Sequence, residues 1–402
     1  MRELYAHFGD RLVGVFREAG PEYATFEYCD NDPNLTPVSL SLPRHDPLTD
    51  VGSQSNAYAY LDGLLPDDDA VRRRWAIARQ TNGTDPFSLL AEYGDDVAGA
   101  VSLSAFKETQ DAQRDIMVEA TEDDIAARVA SISRESSSWL DPQVRPRMSL
   151  GGAQGKFSLT SVGARWFWPT LHSPSTHIFK PPSTHHKRIE IFEDATLKLA
   201  SDLGIEATRS SREEFLGQPT LVVERWDRWQ GTRLHAEDLN QALGNLTAEK
   251  YHREKASASR IARLLTPFNQ QWRFVEQFAF NVAVGNSDAH AKNYSVLLSG
   301  SSVVLAPLYD ALPVYFWPQY GGDLAMRVGN ATHLGDAGEA VWRKFAQEAF
   351  LDPDEVCEVA FRVYSAVSEV MPDHFRACGF DPHRLSLVMK RAKALHRLVP
   401  AA

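Results

Sequence analysis

The spacing of hydrophobic residues changes along the chain, and this change sets the fold class. Near the amino terminus, Arg11 to Arg17 and Glu22 to Tyr28 alternate with period 2, which predicts two strands separated by Gly20-Pro21. From Ala57 to Leu65, and again from Val71 to Arg79, the apolar residues recur at helical spacing. The first part of the chain is therefore predicted to be a small α+β region.

A second β-rich region is predicted in the middle of the chain. Lys156 to Val162 and Arg165 to Trp168 predict a hairpin across Gly163, and His177 to Lys180 and Pro219 to Arg225 predict further strands. From His235 onward the patterns are almost all helical, apart from a loop at 285–293 and two short apolar stretches. A length of 402 residues, at about 150 residues per domain, favours two or three domains. We predict an α+β fold with divisions at 1–105, 106–234 and 235–402.

Charge and cysteine content exclude several classes of function. The chain has 42 basic and 53 acidic residues, a net charge of −11, which argues against nonspecific nucleic-acid binding through counterion release. Any contact with DNA is expected to be local or indirect. Cys29, Cys357 and Cys378 lie far apart and suggest neither a zinc ribbon nor a disulfide framework. With no apolar signal core at the amino terminus and no long apolar run, we expect a cytoplasmic protein without membrane contact.

A glycine-containing segment, Ser149 to Lys156, precedes the first strand of the middle region. Exposed backbone N–H groups in such a segment can cradle phosphates. The sequence is not a P-loop, because that motif needs Gly where Leu150 stands and Ser or Thr where Phe157 stands. A dinucleotide motif also fails, since Ala153 occupies its second glycine. Taken alone, a glycine cluster of this kind is more often an ordinary turn.

The segment Gly285 to Asn293 carries a carboxylate, an imidazole, an ammonium and an amide within six residues. This set suits phosphoryl transfer: Asp288 would accept the hydroxyl proton, Lys292 would neutralise phosphate charge and Asn293 would offer an oxygen to Mg²⁺. The protein-kinase loop H-R-D-x-x-x-x-N has the same five-residue separation from base to amide. Asp310 follows about where a second metal carboxylate belongs, and Lys180 could hold the α- and β-phosphates.

Other interpretations of these residues remain open. Each Asp, His or Asn could serve only as a turn or capping residue. Asp288 and His290 could be metal ligands of a hydrolase, although a suitably spaced third ligand is not evident. His235-Ala236-Glu237 suggests a zinc deaminase, but the later PCxxC that such an enzyme needs is absent.

Several segments, in order along nearly the whole chain, resemble the signature blocks of the HipA family of toxin kinases. The blocks are Tyr60 to Pro66, Tyr93 to Ala100, Ser149 to Phe157, His177 to Pro182, Val223 to Arg228, Glu237 to Gly244, Gly285 to Asn293 and Leu308 to Asp310. The resemblance implies a two-lobed protein-kinase-like fold, with a β-rich nucleotide-binding lobe, an all-helical catalytic lobe and an amino-terminal accessory subdomain. It also implies a serine/threonine kinase that uses ATP and Mg²⁺.

The resemblance further implies site residues and partners. Asp288 would be the base, and Asn293 and Asp310 would hold Mg²⁺. Nucleotide-contacting positions would be Gly151, Gly152, Ala153, Gln154, Gly155, Lys156, Lys180, Glu224, Trp226, Gln241, His290, Lys292, Asn293, Tyr309 and Asp310, with Glu193 as an ion-pair partner for Lys180. The implied partner is a HipB-like helix-turn-helix antitoxin that contacts operator DNA, and the implied substrate is a translation factor such as an aminoacyl-tRNA synthetase.

Ser149 matches the autophosphorylation position of the family, where a phosphate dianion would repel ATP and could expel the loop. Gly155 departs from the family, whose loop usually has glutamate there, and we expect a more mobile loop because Gly lacks a side-chain contact. Two other functions stay open: a binding module that grips a DNA-bound antitoxin as co-repressor, and a metal-dependent phosphohydrolase built on Asp288, His290 and Asp310.

Overall fold

The computed structural model describes residues 2–44, 50–108, 116–139, 147–183, 186, 188–317 and 319–400. The chain forms two compact units. The first comprises Met1–Lys187, Ser211–Ala248 and Ser295–Val303, and the second comprises Arg188–Ser210, Glu249–Tyr294 and Val304–Ala402. The predicted three-way division at residues 105 and 234 stays a prediction. In the described part of the chain, no helix is both long and apolar enough to cross a membrane.

Elements are numbered in chain order. Those lying wholly or partly in the first unit are β1 (Glu3–Phe8), β2 (Arg11–Gly20), β3 (Tyr23–Tyr28), α1 (Asp50–Gly63), α2 (Asp69–Arg79), α3 (Pro86–Tyr93), β4 (Val101–Ser104), β5 (Glu119–Ala120), α4 (Glu122–Arg134), β6 (Phe157–Val162), β7 (Arg165–Phe167), β8 (His177–Lys180), β9 (Ser210–Phe215), β10 (Gln218–Glu224), β11 (Arg228–Trp229), β12 (Thr232–Arg233), β13 (Ala236–Asp238), α6 (Leu239–Ala242), β14 (Ser295–Ser299) and β15 (Ser302–Leu305).

The first unit contains two larger sheets. The amino-terminal sheet has the antiparallel order β3-β2-β1-β4, and Phe16 on its inner face stacks on Tyr60 of α1. The second sheet has the order β5-β7-β6-β8-β10-β9, in which Phe157 pairs with Phe179 and Leu221 pairs with Lys180. The predicted hairpin across Gly163 is confirmed by the antiparallel pairing of β6 with β7. This register places Lys180 at the same sheet end as the glycine-containing segment.

A buried charge cluster joins the end of α3 to the segment after β10. It consists of Asp96, Arg225, Asp227, Arg228 and Arg233, whose side chains are at most 10% exposed. Asp96 accepts from Arg228 at 2.8 Å, and Asp227 lies 2.8 Å from both Arg225 and Arg228. Buried guanidinium and carboxylate groups need such partners, since either one alone would carry a large desolvation penalty. The cluster therefore fixes the chain around Trp226.

The second unit is mainly helical. Its elements are α5 (Ile189–Asp202), α7 (Ala258–Leu265), α8 (Gln271–Val284), β16 (Asp323–Val328), β17 (Ala331–His333), α9 (Glu339–Ala349), α10 (Pro353–Ala377) and α11 (Pro382–Leu398). Aromatic side chains fill the core around α8, where Phe278 lies edge-on to Trp342. Helix α10 packs against α8, α9 and α11.

The strands and helices predicted before His235 correspond closely to the observed elements, including the helix near Val71 and the strand near Pro219. The region after His235 is less uniformly helical than predicted, because β13, β16 and β17 also lie there. Strands β16 and β17 form a hairpin across Gly329-Asn330, with Val328 opposite Ala331. A two-residue turn of this composition is typical of a hairpin, although hydrophobic spacing alone does not predict these two strands.

Candidate active site

The segment 285–293 begins where α8 is firmly ended. Gly285 has φ +88°, a left-handed conformation that suits glycine at a helix end. The next residue, Asn286, donates from its side chain to Asn281 Oδ1 at 2.8 Å. Arg391 of α11, which is 4% exposed, donates to the carbonyl of Ala283 at 2.9 Å and also bonds that of Val282. These bonds fix the direction in which the chain leaves the helix.

Asp288 projects from this anchored backbone and is exposed. Its Oδ1 accepts a hydrogen bond from the hydroxyl of Tyr251 at 2.8 Å. Its carbonyl accepts from the N–H of His290 at 2.7 Å, which tightens the turn. A general base must lie within hydrogen-bond reach of the proton that it removes. The Asp288 carboxylate is thus accessible to a hydroxyl group and already holds one.

The structure brings together the two residues predicted to bind metal. Asn293 donates from Nδ2 to Asp310 Oδ2 at 2.7 Å, and its Oδ1 accepts from the N–H of His290 at 3.0 Å. Asp310 has φ +54°, an unusual conformation for a residue other than glycine. The Tyr309 hydroxyl donates to the carbonyl of Lys292 at 2.7 Å. The segments 290–293 and 309–310 therefore form one bonded group.

This group fits a hard divalent cation in its donor chemistry. An amide oxygen and a carboxylate are ligands that Mg²⁺ accepts, and Mg²⁺ commonly uses one or two carboxylates together with substrate phosphates. Across the described ranges, no set of three or more His, Cys, Asp or Glu side chains could share a metal ion.

The glycine-containing segment lies in the first unit and is held by the accessory part of the chain. Ser149 is fully buried, its hydroxyl donates to the carbonyl of Leu64 at 2.6 Å, and its N–H donates to the carbonyl of Asp96 at 3.0 Å. Gly152, at φ +93°, forms a parallel bridge with Pro66. In this conformation the Ser149 hydroxyl is not accessible to solvent.

Gly155 is closely packed, and the greater mobility expected of this segment stays a prediction. A Cβ atom at Gly155 would lie 2.5 Å from Ile132 Cγ2 and 2.9 Å from the carbonyl oxygen of Ser136. Because Gly155 has no side chain, its backbone packs closely against the end of α4. Lys156, 9% exposed, donates to the carbonyl of Gly151 at 2.7 Å and lies 5.2 Å from the ring of Trp139. Its ammonium group thereby links the two ends of the segment from Gly151 to Lys156.

One polar atom in this segment lacks a hydrogen-bond partner. The amide nitrogen Nε2 of Gln154 is buried and bonds to no other group among the described residues. A buried, unsatisfied donor costs free energy, and it is satisfied when a ligand supplies an acceptor. Lys180, 7% exposed, ends β8 at the same end of the sheet. A donor and a cation there suit an anionic ligand such as a nucleotide phosphate.

Three further predicted nucleotide contacts lie in the first unit. Glu224 ends β10 and is exposed, whereas Trp226 is half-buried beside the charge cluster. Gln241 is 2% exposed, and both ends of its amide are used: Nε2 donates to the carbonyl of Tyr60 at 2.7 Å and Oε1 accepts from the N–H of Asp238 at 3.1 Å. These bonds favour a structural role for Gln241 over contact with nucleotide.

Tyr251 and Arg391 bear on this site and were missed by sequence reasoning. Tyr251 lies 37 residues before Asp288 in a short polar stretch, and no pattern in the sequence relates the two. Arg391 lies 108 residues after Ala283, within a helix whose basic residues would ordinarily be taken as solvent-exposed. Glu193 is 1% exposed in α5, and its predicted pairing with Lys180 stays a prediction.

Family models and known proteins are similar to this chain over most of its length. The model of the HipA N-terminal domain matches residues 4–104, and that of the HipA-like C-terminal domain matches residues 148–371. The chain is 31% identical over 369 residues to "Putative kinase Y4mE" of Sinorhizobium fredii, covering 87% of this chain and 86% of that protein. It is 27% identical over 353 residues to the "Serine/threonine-protein kinase toxin HipA" of Shewanella oneidensis, covering 81% and 78%.

A solved structure of Shewanella oneidensis HipA in complex with HipB and operator DNA is similar in fold to this chain. It aligns over 98% of this chain and 96% of that chain, with a TM-score of 0.78 and 22% sequence identity. A likeness at this identity establishes the fold, and it confirms the predicted α+β, protein-kinase-like class. Together with the two family models, it leads to one conclusion: the chain belongs to the HipA family of serine/threonine kinase toxins.

Proposed function

We propose that this HipA family member transfers phosphate from ATP, with Mg²⁺, to serine or threonine hydroxyl groups of a protein, with Asp288 as the general base. The contact between Tyr251 and Asp288 carries the proposal, because a hydroxyl group lies 2.8 Å from the carboxylate. In the reaction, that carboxylate would accept the proton of the substrate's serine or threonine hydroxyl instead. Asn293 and Asp310 would hold Mg²⁺, since their side chains meet at 2.7 Å; the Asn293 amide would have to turn its Oδ1 from the His290 N–H toward the ion.

The remaining site residues have supporting roles in this proposal. Lys180 and the segment from Gly151 to Lys156 would hold the nucleotide phosphates, which would satisfy the buried amide of Gln154. Lys292 and His290 would also contact the nucleotide, with Tyr309 holding the backbone at Lys292. Glu224 and Trp226 would bind adenine through backbone groups and an aromatic face. ATP supplies the transferable phosphoryl group, and Mg²⁺ offsets its charge.

Phosphate transfer by point variants tests this proposal. Asp288→Asn and Asp310→Asn should each reduce labelling from radiolabelled ATP by roughly a thousandfold or more, as expected when several kcal/mol of barrier lowering is lost. Asp10→Asn, at an exposed turn, is the matched control and should retain full labelling. Thermal unfolding should be nearly unchanged in all three. Normal labelling by Asp288→Asn would refute the assignment of the base.

We also propose that Ser149 is the autophosphorylation site and that its modification switches the kinase off. Since the hydroxyl is buried and bonded to Leu64, phosphorylation requires the segment to leave its present position. A dianion could not return to a site that faces a backbone carbonyl. Mass spectrometry after incubation with ATP, Mg²⁺ and a cell lysate should find phosphate on Ser149 and on the target, for which we propose a translation factor such as an aminoacyl-tRNA synthetase.

A partner and a second function follow from the same family. The similar Shewanella protein was solved with HipB and operator DNA, and we propose a HipB-like antitoxin as the partner of this chain, with DNA contacted through that antitoxin. The net charge of −11 is compatible, because the partner would supply the phosphate contacts. If Asp288→Asn still arrests growth, binding rather than catalysis is the main activity. Loss of arrest with retained complex formation would favour catalysis.

A further inference from the structure

The second unit carries a groove beside the catalytic loop, which we call the acceptor groove. Its volume is about 200 Å³, and its lining residues are Tyr251, Arg253, Ala256, Ser257 and the strand segment Leu324, Ala325, Met326 and Arg327. One wall is thus the loop before α7 and the other is β16. Both belong to the same compact unit.

Two hydrogen bonds join the acceptor groove to Asp288 and to the residue before it, Ser287. From one wall, the Tyr251 hydroxyl donates to Asp288 Oδ1 at 2.8 Å. From the other wall, the N–H of Ala325 donates to the carbonyl of Ser287, the residue before the base, at 2.9 Å. A chain lying in the groove would therefore pass directly beside the catalytic carboxylate.

Among the described residues, the lining of the groove contains two arginines and no carboxylate, on a protein that is acidic overall. Arg253 is exposed on one wall and Arg327 is partly exposed on the other. Two lysines border the same wall: Lys255 is neutralised by its pair with Glu249, and Lys250 lies 5.1 Å from the ring of Tyr251. The acidic neighbours are Glu249, Glu254, Asp288 and Asp323. Against a net charge of −11, two arginines facing one groove mark it as a site for anionic groups.

We infer that the acceptor groove binds the segment of a protein substrate that carries the phosphorylated serine or threonine, and that Arg253 and Arg327 select substrates with acidic residues flanking it. This inference rests on the proposed kinase function. Guanidinium groups form bidentate hydrogen bonds with carboxylates, so they select a ligand by its charge and by its planar geometry. In the free protein, the Tyr251 hydroxyl occupies the position beside Asp288 that the acceptor hydroxyl takes when substrate binds.

The test uses three serine peptides that differ only in their flanking residues, which are Asp and Glu, Ala, or Lys. The wild type should phosphorylate the acidic peptide with the lowest KM. Arg253→Ala and Arg327→Ala should each raise that KM roughly tenfold, the effect of losing one charge-assisted hydrogen bond, while kcat and the KM for ATP stay unchanged. The double variant Arg253→Glu with Arg327→Glu should prefer the Lys peptide. Arg263→Ala, exposed on α7 outside the groove, is the matched control.

Each alternative outcome is informative. Equal KM values of the wild type for the three peptides would overturn the inference, as would arginine variants that change only kcat. A raised KM for ATP would make these arginines nucleotide contacts and would also overturn it. If the wild type modifies no peptide but shows Asp288-dependent autophosphorylation, the inference fails and the kinase proposal stands. If both reactions are absent, the kinase proposal fails and the inference fails with it.

Discussion

Replacing Asp227 with Asn tests whether the buried charge cluster stabilises the first unit. Asp227 accepts from Arg225 Nη2 at 2.8 Å and from the N–H of Gly99 at 2.8 Å, and lies 2.8 Å from Arg228 Nη1. Burial alone would raise the pKa of this carboxyl, but the guanidinium groups of Arg225 and Arg228 hold the pKa far below its ordinary value. Asn keeps the shape of the side chain and removes its charge.

The expected cost follows from the balance of charges in the cluster. Three guanidinium groups face two carboxylates, and in the variant they face only Asp96. The cluster cannot relieve this by deprotonation, because burial lowers the pKa of Arg233 only to about 10. Removing one partner of a buried ion pair typically costs about 3–5 kcal/mol. Since a domain is stabilised by only about 5–15 kcal/mol, the variant should lose a large fraction of its stability.

Urea denaturation followed by hydrogen exchange and mass spectrometry measures this loss locally. Peptides covering residues 95–104 and 219–234 should become exchange-competent at lower urea than in the wild type, by about 1 M or more if m is near 3 kcal/mol/M. Arg343→Ala, which breaks an exposed pair with Glu339, is the control and should shift stability by less than about 1 kcal/mol. A shift for Asp227→Asn no larger than that control would refute the reasoning.

Four further variants have expected outcomes. Gly155→Ala should lower the free energy of unfolding by about 1–3 kcal/mol, because its Cβ would meet Ile132 and Ser136, whereas Gly20→Ala, with open space around it, should be nearly neutral in thermal unfolding. Burial raises the pKa of Glu237 to about 8 from an ordinary 4.5, so the stability gained from its protonated form is present below pH 4.5 and is lost as the pH rises through 8. Glu237→Gln should therefore flatten the decline in wild-type stability measured by denaturation between about pH 5 and 8, and an unchanged slope would contradict the raised pKa. Ser149→Asp should increase hydrogen exchange across residues 147–157, since a carboxylate would face the Leu64 carbonyl, while Ser149→Ala should cost only about 1 kcal/mol. Tyr251→Phe keeps the ring packing on His290 but frees Asp288, and it should lower the KM for an acceptor peptide several-fold; a fall in kcat instead would mean that Tyr251 positions the base.

Most strands and helices before His235 could be predicted, because the spacing of hydrophobic residues and the turn residues between them are local signals. The period-2 stretches that begin at Arg11 and Glu22 correspond to β2 and β3, and the helical spacing from Val71 corresponds to α2. The order of residues in 285–293 also predicted which side chains would share a loop. The sequence also placed Asn293 and Asp310 at one metal site, but it gave no sign of the left-handed backbone at Asp310, where the contact across 17 residues is made.

Residues whose role depends on distant partners could not be interpreted from the sequence. Gly155 was expected to loosen its segment, yet its packing is set by Ile132, which lies on a helix 23 residues earlier. Gln241 occupies a family signature block, but its amide is used by Tyr60 on α1. In both cases the spatial neighbour is far away in sequence, so composition and spacing contain no record of it. The roles of Gly155 and Gln241 can be assigned only from the three-dimensional structure.

The accessory part of the chain is built into the β-rich region through Asp96. Its side chain holds Arg228 of the charge cluster at 2.8 Å, and its backbone carbonyl accepts from the N–H of Ser149 at 3.0 Å. The segment proposed to bind phosphates and the segment proposed to bind adenine are thus both tied to a residue from the region matched as the HipA N-terminal domain. Displacement of the Ser149 segment would break the hydrogen bond from the Ser149 N–H to the Asp96 carbonyl. Phosphorylation of Ser149 would therefore change the hydrogen bonding of the accessory part of the chain directly.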